Sequence, residues 1–335
     1  MEYLPYTGNK KGWPWTEEKD PSIYSGVAAL PKISIVTPSF NQGEYIEETI
    51  RSVLLQNYPN LEYIVIDGGS TDKTIEIIKK YAQWITYWVS EPDNGQSHAL
   101  NKGVEKCTGE IFNWINSDDF YSQNALFSIA QAFRQSNGDV VAGYNNRFIE
   151  KNGQYITTTK VRLEICEELE QTLFFHSLRQ ASTFFKLDQI KLLHGLNAKL
   201  NYVMDTEMFI QYLLKFGQEK IKFIDTIIVN YRLQDKSKTV SAQDMFLKEI
   251  SDVYSILAKE ARNENRKYDI SLLNPDKVLS YFYALQAFNT PRKQIFSYLR
   301  WLYKSYVYYP KLSSRHFMFL MKNIIFYKKE KNDFQ

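Results

Sequence analysis

Two aspartates, Asp118 and Asp119, stand side by side in "NWINSDDFY", directly after a run that reads as a buried strand (110–116). Adjacent carboxylates repel each other, and a hard dication that takes one or two carboxylates plus phosphate oxygens relieves the repulsion. An Asx turn, or a cap for a helix near Asn124, would use the same residues, and for an isolated Ser-Asp-Asp it is the commoner outcome. Asp67 ends another apolar run, before two glycines, where a carboxylate either accepts hydrogen bonds from a nucleoside or makes a turn. The segment "EPDNGQSHALNKG" (91–103) places Gln96, Ser97, His98, Asn101 and Lys102 at a helix start. These are donors and a cation where phosphate could sit, with a solvated helix face as the alternative.

The elements that must position these groups alternate. "ISIVTP" (33–38), "LEYIVID" (61–67), "ITYWVSE" (85–91), "EIFNWIN" (110–116) and "DVVAGY" (139–144) read as strands. Between them lie helical patterns, among them one with Ile46, Ile50, Val53 and Leu54 on one face. Such alternation predicts parallel βαβ units with helices on both faces of one sheet, and ligands at the carboxyl ends of its strands. The polar clusters fall at those ends. Beyond residue 150, "QASTFFK" and "IKFIDTIIVNYRL" read as strands, "MDTEMFIQYLLKFG" as a helix stopped by glycine, and everything past 241 as helical. In 293–306, Lys293, Arg300 and Lys304 are expected on one helix face, with Ile295, Leu299, Leu302 and Tyr306 opposite.

Composition narrows the classes. The 335 residues are 44% hydrophobic and 24% charged, which suits a globular chain of one large domain plus an appendage or of two domains. Two cysteines and four scattered histidines offer neither a disulfide framework nor a zinc pattern. The loop after the first strand, "PSFNQG", has Gly43 alone, so it is no dinucleotide fingerprint, and no phosphate-binding P-loop occurs. The N-terminus lacks a signal-peptide core and no run of 18 apolar residues exists, so a cytoplasmic protein is expected. Net charge is +3, yet Lys277–Lys329 holds ten Lys or Arg and no acid. A basic tail on an acidic body points to an anionic surface. We expect peripheral contact with the inner face of the cytoplasmic membrane through 292–329, and no nucleic acid, because no reader motif accompanies the charge.

Taken in order and spacing, I-S-I-V-T-P-S-F-N-Q, I-D-G-G-S-T-D, S-E-P-D-N-G-Q-S-x-A-x-N-K-G and N-S-D-D closely resemble the family-2 glycosyltransferases of the GT-A fold. The resemblance is dense over 32–122 and continues more weakly to about residue 240. The leader "GWPWTEE" resembles that of many bacterial members. The fold it implies is an α/β, Rossmann-like, mostly parallel sheet with helices on both faces. The expected domains are a leader packed on the core (1–31), a catalytic domain (32–240) and a helical, basic and aromatic C-terminal region (241–335). Nucleotide-binding (32–145) and acceptor-binding (146–240) halves are expected within the catalytic domain.

By the same resemblance, Pro38 and Asn41 shape the first nucleotide loop and Asp67 hydrogen-bonds the nucleobase. Asp118 faces the ribose or donor sugar, Asp119 coordinates a Mn²⁺ or Mg²⁺ on the diphosphate, and Gln96, Asn101 and Lys102 contact the donor. In "YVMDTEMF" Asp205 matches the general base, with Glu207 as fallback. Gln180 and Ser182 are candidate acceptor contacts. Gln234 stands where relatives often carry histidine, which leaves Arg232, Lys236 or Lys238 to meet the diphosphate, and His98 stands where many carry an acid. The implied activity is metal-dependent, inverting transfer of a hexosyl or N-acetylhexosaminyl group. Its donor is a nucleoside-diphosphate sugar, foremost a UDP-sugar, and its acceptor a saccharide or lipid-linked hydroxyl in bacterial surface polysaccharide biosynthesis. A sugar nucleotidyltransferase and a non-catalytic nucleotide-sugar-binding scaffold are the alternatives.

Overall fold

A computed structural model describes residues 4–308, apart from residues 6–7, 9, 28, 152, 176, 194, 235–242, 264–272 and 290–294. Lys236, Lys238 and the basic stretch beyond residue 308 lie outside the described residues. The chain forms two compact units, Met1–Glu164 with Ser177–Ser241, and Ile165–His176 with Ala242–Gln335.

The first unit is built on one sheet. Its strands are β1 (Ile33–Ser39), β2 (Leu61–Asp67), β3 (Tyr87–Ser90), β4 (Ile111–Trp114), β5 (Phe120–Tyr121), β6 (Val140–Lys151), β7 (Gln154–Arg162), β8 (Thr183–Lys186) and β9 (Ile221–Arg232). The order is β3-β2-β1-β4-β8-β6-β9-β5, with β7 added to the outer half of β6. β1, β2, β3 and β4 pair in parallel, and β6 pairs in parallel with β9. β8 runs antiparallel between β4 and β6. That reversal is invisible in "QASTFFK", because a short buried strand carries no mark of its direction.

β1 is buried along its whole length. The helices of this unit are α1 (Ile46–Leu54), α2 (Thr74–Tyr81), α3 (Gln96–Lys106) and α4 (Ala125–Gln135), with α6 (Leu187–Leu192) and α7 (Met204–Phe216) later in the chain. α3 lies close on β1 because Gly103 faces Val36, where an added Cβ would sit 2.5 Å from Val36 Cγ1. A leader strap is fastened by several side chains, among them Trp13 on the Tyr121 carbonyl and Asn57 on the Lys19 carbonyl. Arg51 of α1 donates to the carbonyls of Pro5, Pro14 and Trp15 and to the Tyr81 hydroxyl.

The parallel register sets the site. Ser39 pairs with Asp67 and Asp67 with Ser90, so three strands end level, and residues 115–119 leave β4 at the same edge. Farther along, β5 pairs antiparallel with β9, Phe120 against Asn230. Running that register two residues outward sets Asp118 opposite Arg232.

The second unit holds α5 (Leu169–Phe175), α8 (Gln243–Asn263), α9 (Pro275–Asn289) and α10 (Ile295–Tyr308). This unit takes up the chain again at Ala242, where the sequence reads as helical, and it also includes 165–176, which the sequence reading assigns to the acceptor-binding half. Its ties are a Tyr254 hydroxyl donated to the Leu173 carbonyl and a Lys277–Glu170 ion pair. On α10, Trp301 stacks on Tyr283 and Ser305 bonds Ser280. Phe296, Leu299, Arg300, Tyr303, Tyr306 and Val307 are exposed instead. Of the residues expected to split α10 into a basic and an apolar face, Lys293 and the side chains of Ile295 and Leu302 lie outside the described residues, and among the rest α10 does not divide that way. Its packed face is set by Trp301 and Ser305, and Arg300 shares the exposed face with Leu299 and Tyr306.

Candidate active site

The loops after β1 and β2 are knitted together by short polar side chains. Asp67 is fully buried and accepts from the N–H groups of Gly69 and Ser70 and from the hydroxyls of Ser70 and Ser90. The Ser70 hydroxyl also accepts from the Asn41 N–H at 2.7 Å, and Asn41 Oδ1 accepts from the Thr71 N–H. Asn41 sits at φ 52°, a left-handed conformation that Asn tolerates better than most residues. Pro38, within buried β1, delivers the chain to this turn. At its tip Phe40 is 59% exposed, a large ring left in water beside the loops. Across the mouth Asp93 bonds the Gly95 N–H, with its other oxygen placed 2.8 Å from where a Cβ on Gly68 would lie.

Beyond β4 the acidic pair occupies the edge of the sheet. Asp119 is 1% exposed; its Oδ1 accepts from the Arg232 N–H at 2.9 Å, and its carbonyl from the Thr49 hydroxyl at 2.6 Å. Its Oδ2 is buried with no hydrogen-bond partner. Asp118 Oδ2 accepts from Gln234 Nε2 at 3.0 Å and its carbonyl from Arg232 Nε at 3.1 Å. Burial, then the charge of Asp118, holds the Asp119 carboxyl well above the ordinary range, and burial raises Asp118 too. An orphaned carboxylate oxygen beside a second raised carboxyl is the condition that a hard dication reverses. The two residues therefore fit a divalent cation. Among the described residues no third His, Cys, Asp or Glu joins them, so phosphate oxygens and water would complete the shell.

Asp205, in the first turn of α7, is half-buried and accepts from the Thr206 N–H. Burial raises its carboxyl, with Arg179 near enough to oppose the shift. Glu207 is buried, and its Oε1 accepts from Gln211 at 2.5 Å, so Asp205 is the more accessible of the two. Tyr231 joins the halves: after burial, the charges of Asp119, Asp118 and Asp205 all push its hydroxyl up, to about 12. Asp118, Asp119 and Asp205 thus lie within electrostatic reach of one phenol.

Several expected contacts are placed inside the fold instead. Asn101 spends both ends of its amide on the Leu196 backbone. Ser182 is fully buried and donates to the Gly143 carbonyl, and Gln180 Nε2 donates to the Trp114 carbonyl. The Arg232 side chain is enclosed by Glu48 and Glu150, so the expected diphosphate contact does not match its place. Both Asp67 oxygens are occupied by its own loops. Backbone groups take the polar atoms of Asn101, Gln180 and Ser182, and side chains take those of Arg232 and part of Asp67. Gln96 stays at the edge, donating to Asn116 Oδ1, and Lys102 pairs with Glu91 in a partly exposed bridge. His98 accepts from the Asn94 N–H and shapes the loop. Phe40, Asp93, Arg179 and Tyr231 were not singled out by sequence. Phe40 and Asp93 sat within the strand-end clusters, and Arg179 and Tyr231 at the starts of "RQASTFF" and "YRLQDKSKT", two segments that resemble family stretches.

The profile of the family described as "Glycosyl transferase family 2" matches residues 34–192. An uncharacterized glycosyltransferase of Rickettsia typhi is 27% identical over 293 residues, covering 83% of this chain and 91% of that protein. One from Haemophilus influenzae is 31% identical over 175 residues, 51% of this chain and 68% of that protein. Among solved structures, S. aureus TarS (residues 1–349) in complex with UDP-GlcNAc aligns with a TM-score of 0.57 at 17% identity, over 83% of this chain and 81% of that one. The mannosyltransferase PcManGT from Pyrobaculum calidifontis, in complex with GDP-Man and Mn²⁺, aligns at 0.52 and 15% identity, over 93% and 83%. These structures share the fold. With the strand-end loops, the acidic pair and these relatives together, the chain belongs to glycosyltransferase family 2 and has the GT-A fold.

Proposed function

We propose that the protein is a metal-dependent, inverting glycosyltransferase that moves a hexosyl or N-acetylhexosaminyl group from a nucleoside-diphosphate sugar, foremost a UDP-sugar, to an acceptor hydroxyl. The observation that carries the reading is the buried Asp119 Oδ2, unpartnered beside Asp118 at the carboxyl edge of the sheet. Nucleotide sugars bound to TarS and PcManGT support the donor class. The Phe40 ring is free to stack on the base, while Asp67 holds the loops that receive it. Asp119, with Asp118 toward the sugar, would hold a Mn²⁺ or Mg²⁺ that offsets negative charge on the departing diphosphate.

Asp205 acts as general base. It takes the proton of the acceptor hydroxyl as that oxygen bonds the anomeric carbon, and the bond from that carbon to the diphosphate breaks on the opposite face. The configuration inverts. A raised Asp205 carboxyl is a stronger base than an ordinary aspartate. The acceptor is a saccharide or lipid-linked hydroxyl of bacterial surface polysaccharide synthesis. The exposed aromatic stripe of α10 and the tail's basic composition support peripheral contact with an anionic membrane. Calorimetric titration of UDP, GDP and dTDP with and without Mn²⁺ tests the donor site. Binding of one nucleotide, strengthened by Mn²⁺ in wild type but not in D119N, is expected; metal-independent binding in both would sink the cation assignment.

A further inference from the structure

Arg232 is 4% exposed and every nitrogen of its guanidinium is engaged. Nη2 bonds Glu48 Oε2 at 2.6 Å, Nη1 pairs with Glu150, and Nε bonds the Asp118 carbonyl at 3.1 Å. Three rings enclose the group, Tyr45 and Phe148 at 4.8 Å and Tyr155 at 5.4 Å from its central carbon. Tyr155 also donates to Glu48 Oε1 at 2.7 Å. Withdrawing the guanidinium to reach a phosphate would leave the buried Glu48 carboxylate with the Tyr155 hydroxyl but no counter-charge, which is strongly unfavourable. A planar fork that meets three acceptors at once is a fastener. What it fastens is the acidic pair. Its side chain holds the Asp118 carbonyl, its own N–H holds Asp119 Oδ1, and Thr49, next to Glu48 on α1, holds the Asp119 carbonyl. α1, β9 and the β6–β7 hairpin thus converge on residues 118–119, and Asp119 Oδ2 is the atom left over.

We propose that Arg232 is a positioning residue, which pins Asp118 and Asp119 so that Asp119 Oδ2 faces the cation of the donor complex, with Glu48 and Glu150 as its counter-ions. The proposal rests on the cation assignment above. Mn²⁺ affinity measured calorimetrically with UDP present, together with kcat and KM, tests it on the full chain. R232Q is expected to weaken Mn²⁺ binding about tenfold or more, the usual scale for groups that orient a metal's ligands. Its kcat should fall while UDP binding without Mn²⁺ stays as in wild type. E48Q and E150Q should weaken Mn²⁺ binding in the same direction and by less.

A folded R232Q with wild-type Mn²⁺ affinity and kcat overturns the proposal. So does an R232Q that loses UDP affinity equally with and without Mn²⁺, since that would make the arginine a direct phosphate contact. If R232Q fails to fold, wild-type Mn²⁺ affinity in both E48Q and E150Q overturns it. D119N separates the two ideas: Mn²⁺ binding retained in D119N removes the cation assignment, whereas binding lost in D119N and intact in R232Q removes the positioning role alone.

Discussion

At the scale of single residues, the carboxylates of Asp67, Asp118, Asp119 and Asp205 would do different work because their surroundings differ. Asp67 is saturated by donors and frames a loop. Asp119 keeps one oxygen unsatisfied, Asp118 shares one with Gln234, and Asp205 is half-buried with a raised carboxyl. Replacing Asp119 by Asn keeps the shape and removes the charge, so transfer should fall to background in a product assay with Mn²⁺ saturating. Asp205→Asn should leave nucleotide affinity unchanged and cut kcat by about a hundredfold or more, the usual worth of a positioned base. Because the Asp205 carboxyl is raised, kcat should decline as pH falls through a value above the ordinary aspartate range, and a profile flat down to pH 4 would contradict the role.

At the scale of elements, the site depends on strands ending level and helices lying close. Glu62, at the far end of β2, takes hydrogen bonds from Ser34, from the Thr108 N–H and hydroxyl, and an ion pair from Lys32. Burial opposes its charge, but these donors outweigh burial and hold the carboxyl at about 2, below its reference value of 4.5. A depressed carboxyl contributes stability that is complete above the reference value and is lost as pH falls toward 2. E62Q should therefore lower unfolding stability by about 2 kcal/mol near neutrality. Wild-type and variant denaturation curves should converge on acidification, and nucleotide affinity should not change. Gly103→Val drives a branched side chain into Val36 and should cost about 2–3 kcal/mol by the same measurement. These elements were largely legible, because βαβ alternation is written in apolar periodicity. The β6–β7 hairpin was not: β7 is exposed almost throughout, so "QYITTTKVR" shows no alternation between a buried and a wet face.

At the scale of the whole molecule, the basic stretch of the sequence coincides with a helix, α10, that bears exposed rings. Phe296 is 86% exposed and Tyr303 70%, on a helix without a single acid. Aromatic side chains with arginine suit the headgroup layer of an anionic bilayer. The full chain should sediment with vesicles containing anionic lipid at low salt and be released by high salt, and F296S/Y303S should weaken the association. Failure to sediment at low salt would remove membrane contact from the proposed function.

The sequence alone determined the class of fold, the order of the strands that end in polar clusters and the resemblance to family 2, since these are local patterns. Tertiary structure decided which polar atoms remain available. Asn101 and Ser182 carry the right chemistry, but backbone groups from distant segments satisfy them first, and Asp67 is satisfied by its own loop and the Ser90 hydroxyl. Arg232 meets Asp118 across a strand pair that joins residues more than a hundred positions apart. The pair in "NSDDF" is therefore asymmetric for a reason no spacing records: the β9 backbone takes one oxygen of Asp119 and leaves the other free.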